Sequence, residues 1–90
     1  MEKNHSIKTN RLRFYRRKNG LSQKRVSRLM GLKTTSSLSH YESGRKVPSL
    51  QNAIRLEIVL HTPVAFLFRE LSETLKEEID LRREKMALFK

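Results

Sequence analysis

Residues 21–50 read LSQKRVSRLMGLKTTSSLSHYESGRKVPSL, and how this stretch is parsed decides the fold. Ser22 is a ready N-cap, and Val26, Leu29 and Met30 follow it at helical spacing. Gly31 ends that helix, most simply as a left-handed residue just past its C-terminus. Ser and Thr then crowd the chain, yet Leu38 and Tyr41 keep an apolar rhythm among them. Thr34 or Thr35 can cap a further helix over about 35–43, with Leu38 and Tyr41 on its inward face and Gly44 as its stop. Arg45-Lys46-Val47-Pro48 reads as a loop, and Ser49 as the next cap.

Upstream, Thr9 or Asn10 can cap a helix carrying Leu12 and Tyr15 on one face with Phe14 beside them, closed by Asn19-Gly20. Downstream, Ser49 opens a fourth helix bearing Leu50, Ala53, Ile54, Leu56 and Leu60. Thr62 as cap and Pro63 at the first helical position start a short fifth helix through Phe68. Residues 70–90 read as one more helix, charged and amphipathic. No run of alternating β-branched residues signals a strand. The expectation is an all-α chain in three parts: a basic arm over 1–9, a five-helix domain over 10–69, and a C-terminal helix over 70–90.

Ninety residues suffice for one domain, near the lower size that buries a core unaided. There is no Cys, so neither disulfides nor thiolate metal sites assist it. His5, His40 and His61 are scattered without metal-ligand spacing. The longest apolar run, Val64–Phe68, is far short of the roughly 20 residues that span a bilayer. The first twenty residues hold no apolar run of the signal-peptide kind. These features point to a soluble, cytoplasmic, nucleoid-associated protein without metal, cofactor or membrane partner. Charge is the dominant feature, with 20 Lys and Arg against 9 Asp and Glu. Residues 1–69 carry a net +12 and residues 70–90 a net −1. A field so concentrated attracts polyanions, with nucleic acid foremost.

Two short helices joined by a turn containing glycine, set in a basic domain, have the layout of a DNA-binding helix-turn-helix. The stretch LSQKRVSRLMGLK…LSHYESGRKVPSL resembles the phage repressor/Cro-like (XRE) helix-turn-helix family, whose domain is lambda-repressor-like. The Tyr41-Glu42-x-Gly44-x-x-x-Pro48-Ser49-Leu50 segment is its most specific part, and the similarity covers roughly 10–68. The resemblance implies double-stranded DNA as partner and the third helix as the recognition helix. Thr35, Ser36, Ser37 and His40 fall where the family reads base edges. Backbone contacts are implied for Arg16, Ser22, Gln23, Lys24, Thr34, Arg45 and Lys46, and an orienting ion pair for Arg16 with Glu42.

Independent chemistry agrees with these roles. Small hydroxyl side chains let a helix come close to the major groove and pair with several base edges. Lys24 and Arg25 occupy a helix first turn, where the macrodipole disfavours cations, which suits a phosphate nearby. Three departures from the family pattern stand out. One extra residue separates Gly31 from Glu42, leaving the first turn of the third helix open in register. Ser27 replaces a usual small Ala, and Glu57 and Ile58 look exchanged, leaving Ile58 an exposed apolar position.

Other classes fit less well. An enzyme would need a converging base, nucleophile or metal set. His40, Tyr41 and Glu42 are consecutive helical residues and point in different directions. RNA binding would call for aromatics interleaved on the basic face. An antitoxin-type module remains the alternative, binding a protein through its C-terminal helix and DNA for autoregulation. In that helix Phe68, Leu71, Leu75, Ile79, Met86 and Phe89 form one stripe, interrupted by Arg82. The stripe either joins two copies, with Leu71, Leu75, Ile79 and Met86 at the interface, or packs back over Ile58.

Overall fold

The computed structural model describes residues 9–88. Apart from Thr9, the expected basic arm lies outside them, as does Phe89. Six helices follow in order: α1 Leu12–Lys18, α2 Gln23–Leu29, α3 Ser36–Glu42, α4 Leu50–Leu60, α5 Val64–Leu67 and α6 Arg69–Leu88. No strand occurs among the described residues, so the all-α expectation holds.

The helix ends follow the caps. Ser22 Oγ accepts from the Arg25 N–H at 3.0 Å, and Ser49 Oγ from the Asn52 N–H at 3.2 Å. At the start of α1, Asn10 Oδ1 accepts from the Leu12 N–H at 3.0 Å. The first three helices close in one manner, with Gly20, Gly31 and Gly44 at φ between 70° and 84°. After α2, the Leu32 N–H bonds back to Ser27 O and the Gly31 N–H to Arg28 O, a Schellman closure. The α4 terminus does this without glycine: His61 stands at φ 51° while the Thr62 N–H reaches Glu57 O.

Eight apolar side chains form the core: Leu12, Val26, Met30, Leu38, Tyr41, Leu56, Leu60 and Leu67. Every helix from α1 to α5 contributes, each fully buried side chain being worth about 1.5–3 kcal/mol. The inward faces differ in part from expectation. Leu29 is 59% exposed, and the buried Ser27 takes its place beside Val26 and Met30. On α4 the inward stripe runs through Leu56 and Leu60, with Ala53 and Val59 half-buried. Leu50 and Ile54 lie far around the helix at 100° per residue, and both are exposed.

The entry to α5 also differs. Thr62 does not cap it, since its hydroxyl donates to Leu60 O at 2.9 Å inside the protein. Pro63 occupies the N-cap position, and Glu57 Oε1 accepts from the Val64 N–H at 2.9 Å. The seemingly exchanged Glu57 therefore supplies a cap from the preceding helix.

The start of α1 is pinned to the far end of the domain. The Arg11 N–H donates to Leu67 O at 2.8 Å, and its guanidinium meets Glu70 Oε2 at 3.0 Å. Beyond Leu75, α6 leaves the domain. It buries no residue, and it stretches the molecule to 52 × 29 × 22 Å. Ile58 is 65% exposed, and Leu75 and Ile79 are each 47% exposed. The apolar stripe of α6 therefore does not fold back over Ile58.

Candidate nucleic-acid interface

A seven-residue helix is marginal alone, so α3 has to be held by what it touches. Leu38 and Tyr41 anchor it from below, both buried. The Tyr41 hydroxyl accepts from Asn52 Nδ2 at 2.9 Å, and Asn10 Nδ2 donates to Tyr41 O at 2.8 Å. At the other end, Thr34 Oγ1 accepts from the Ser36 N–H at 3.3 Å. Thr34 thus begins the helix, while Thr35 sits at the cap position without a side-chain bond. The connection from α2 to α3 runs through residues 30–35.

Glu42, the last residue of α3, is where three helices meet. Its side chain is fully buried, and Arg16 of α1 is 10% exposed. Arg16 Nε donates to Glu42 Oε2 at 2.6 Å and its second nitrogen to Oε1 at 3.2 Å, a bidentate pair. The third nitrogen donates to Leu21 O at 3.0 Å, in the α1–α2 turn. Gln23 of α2 donates from Nε2 to Glu42 Oε1 at 3.0 Å, and Arg13 Nε approaches the same oxygen at 3.4 Å. Burial pushes the Glu42 carboxyl up, but the bonds from Arg16, Gln23 and Arg13 and the Arg16 charge outweigh it and hold the group below its usual range.

Arg16 was expected in two roles, ion pair and phosphate contact. The geometry displays the first, with all three guanidinium nitrogens engaged by Glu42 and Leu21 O. Gln23 has one amide hydrogen committed to Glu42, and its nitrogen carries a second. Arg13 was read only as part of a diffuse field. Its position three residues before Arg16, on one helical face, was the available signal for its place at Glu42.

The outward side of α3 carries polar groups only. Ser36, Ser39 and Ser43 are exposed and His40 is half-buried, all opposite Leu38 and Tyr41 on the helix. Thr35 and Ser37 lie toward the flanks and are half-buried. Thr34 and Lys33 are exposed in the turn. Exposed cations stand on the preceding helix and the following loop: Lys24 and Arg25 in the first turn of α2, then Arg28, with Arg45 and Lys46 in the loop after α3. Ser22 is exposed too, its hydroxyl oxygen engaged as the α2 cap. Glu42 is the sole acid between residues 9 and 56, and its charge is neutralised inside the domain. Among the described residues, no exposed acidic side chain lies between residues 9 and 56. Among the described residues no cluster of His, Cys, Asp or Glu has metal-binding geometry, and no helix is long and apolar enough to cross a membrane.

A family model of helix-turn-helix proteins, Cro/C1 type, matches residues 12–67, from the start of α1 to the end of α5. The chain belongs to the Cro/C1-type (XRE) helix-turn-helix family. Membership makes it, in general terms, a DNA-binding transcriptional regulator. The matched region takes in all eight core residues and the whole Glu42 network, and it stops before α6. No curated protein matches the chain.

Proposed function

We propose that this protein binds double-stranded DNA sequence-specifically by inserting α3 into the major groove. The observation that carries this reading is the outward face of α3: hydroxyls and one imidazole on a helix locked from behind by Leu38, Tyr41 and Glu42, with exposed cations on α2 and in the loop after α3. Ser36, Ser37, Thr35 and His40 are the candidate base readers. Ser hydroxyls accept or donate at either groove edge, and an imidazole can do both. Ser22, Gln23, Lys24, Thr34, Arg45 and Lys46 are candidates for the phosphates that fix the register of α3. Gln23 suits this task because the acceptor-only Glu42 carboxylate orients its amide, leaving the second amide hydrogen for a phosphate oxygen.

Selection of bound sequences from random duplexes, with RNA of equal length as competitor, is the test. A recovered consensus and preference for duplex DNA support the reading. Equal binding of all duplexes, or preference for the RNA, would sink it. The antitoxin-type alternative shares these DNA-facing features and differs in what covers α6.

A further inference from the structure

The Glu42 junction holds one cation more than its carboxylate requires. Arg16 neutralises Glu42 through two bonds and donates from its third nitrogen to Leu21 O. Arg13 then brings a second positive charge to the same group, through Nε to Oε1 at 3.4 Å. Among the described residues Arg13 has no other ion-pair partner. Its charge is surplus at this junction.

The oxygen it meets is also crowded. Oε1 has two lone pairs and three donors: Gln23 at 3.0 Å, Arg16 at 3.2 Å and Arg13 at 3.4 Å. The Arg13 bond is the longest, and its side chain is 56% exposed. A pair so exposed on one side contributes little to stability. Holding Glu42 is therefore a minor task for Arg13.

What the bond does is place the side chain. It uses the Nε hydrogen alone, so the four N–H groups of the two terminal nitrogens have no acceptor among the described residues. Gln23 likewise keeps one amide hydrogen unused. Arg13 Nε and Gln23 Nε2 stand 3.4 Å and 3.0 Å from the same oxygen, hence at most 6.4 Å from each other. Bonds of about 2.9 Å to one oxygen join donors up to about 5.8 Å apart, and a phosphate offers two such oxygens. A guanidinium from α1 and an amide from α2 are thus within reach of one phosphate.

We propose that Arg13 contacts DNA, gripping from α1 the same phosphate that Gln23 meets from α2. This rests on the DNA-binding reading above. It moves the phosphate role of α1 from Arg16, whose nitrogens are all engaged, to the residue one turn earlier. Glu42 orients both donors while Arg16 neutralises its charge.

The test is titration of the full chain with one duplex of fixed sequence across a salt series. Arg13→Ala lowers the slope of log affinity against log salt by about 1, while Arg13→Lys keeps the slope because it keeps the charge. Lys18→Ala, exposed and about 140° round α1 from Arg13, also keeps the parent slope. Gln23→Ala removes no charge, so affinity falls at an unchanged slope. The double variant Arg13→Ala, Gln23→Ala loses less affinity than the product of the two single losses, since both donors serve one phosphate. A slope unchanged in Arg13→Ala would overturn the contact, and a lower melting temperature beside it would make Arg13 a support of Glu42 only. An equal drop in Lys18→Ala would mark a diffuse field and overturn it too. Fully multiplicative losses in the double variant would overturn the shared phosphate. In each of these cases the parent still binds with a steep slope, and the DNA reading stands. A parent chain that does not bind duplex would fail that reading, and the contact with it.

Discussion

Replacing Glu42 by Ala removes from α3 the acceptor that serves donors on both α1 and α2. The stranded group is Arg16, 10% exposed, which keeps only Leu21 O. Arg13 is 56% exposed and returns to water at little cost. Breaking a buried pair by deleting one partner costs about 3–5 kcal/mol. In a domain whose whole stability is of order 5–15 kcal/mol, that is a large share. At about 4–8 °C per kcal/mol for a chain of this size, the melting temperature falls by at least about 12 °C. Arg16→Ala falls in the same range, because the fully buried carboxylate then keeps only Gln23 and Arg13. The double variant loses less than the sum, since no charge is left stranded.

The pair also sets an acid limit. The Glu42 carboxyl titrates lower in the folded protein than its ordinary value of 4.5. Its stabilisation is therefore complete at neutral pH, begins to fade as pH falls below about 4.5, and is gone below the lowered folded value. Glu42→Gln preserves much of the shape and removes this part of the acid slope. Melts of the two single variants and the double variant, repeated from pH 7 down to 3, measure all of it. Single variants that melt with the parent, or an acid slope unchanged in Glu42→Gln, would refute the latch.

Three further outcomes follow from the same geometry. His40→Ala and Ser36→Ala relax sequence preference, each costing about 1–3 kcal/mol at the cognate site while nonspecific affinity stays level, as competition titrations would show. Arg45→Ala and Lys46→Ala each lower the slope of log affinity against log salt by about 1, read from titrations across a salt series; an unchanged slope removes that residue from the phosphate contacts. Ser27→Ala raises stability by about 1 kcal/mol, because the Ser27 hydroxyl is buried with no hydrogen-bond partner. A lower melting temperature for Ser27→Ala would mean the hydroxyl has a partner.

Helix ends were legible because their signals are local. Ser22 and Ser49 cap within three residues, and the glycines of all three Schellman closures stand where helical periodicity stops. Inward faces were less legible on short helices. Over seven residues, Val26 with Leu29 and Val26 with Met30 are equally helical pairings, and only the packing of α3 and α4 selects Met30 and Ser27 over Leu29. Glu57 as the cap of α5 was hidden because it depends on the left-handed turn at His61 folding the chain back. The tie from Gln23 to Glu42 spans 19 residues and follows only once α2 and α3 are docked. The polar character of α3 was legible as a residue set. Its orientation, which places Ser39 and Ser43 outward with Ser36 and sends Thr35 and Ser37 toward the flanks, required the start of α3 at Ser36.

Burying Glu42 has two consequences that pull in the same direction. A carboxylate on the surface of α3 would weaken the positive field of the exposed cations on α2 and in the loop after α3. Placed inside, the same group spends its charge on Arg16, ties α3 to α1 and α2, and leaves the surrounding cations uncompensated. The uncompensated field has its own cost, because two domains of net +11 over residues 10–69 repel on close approach.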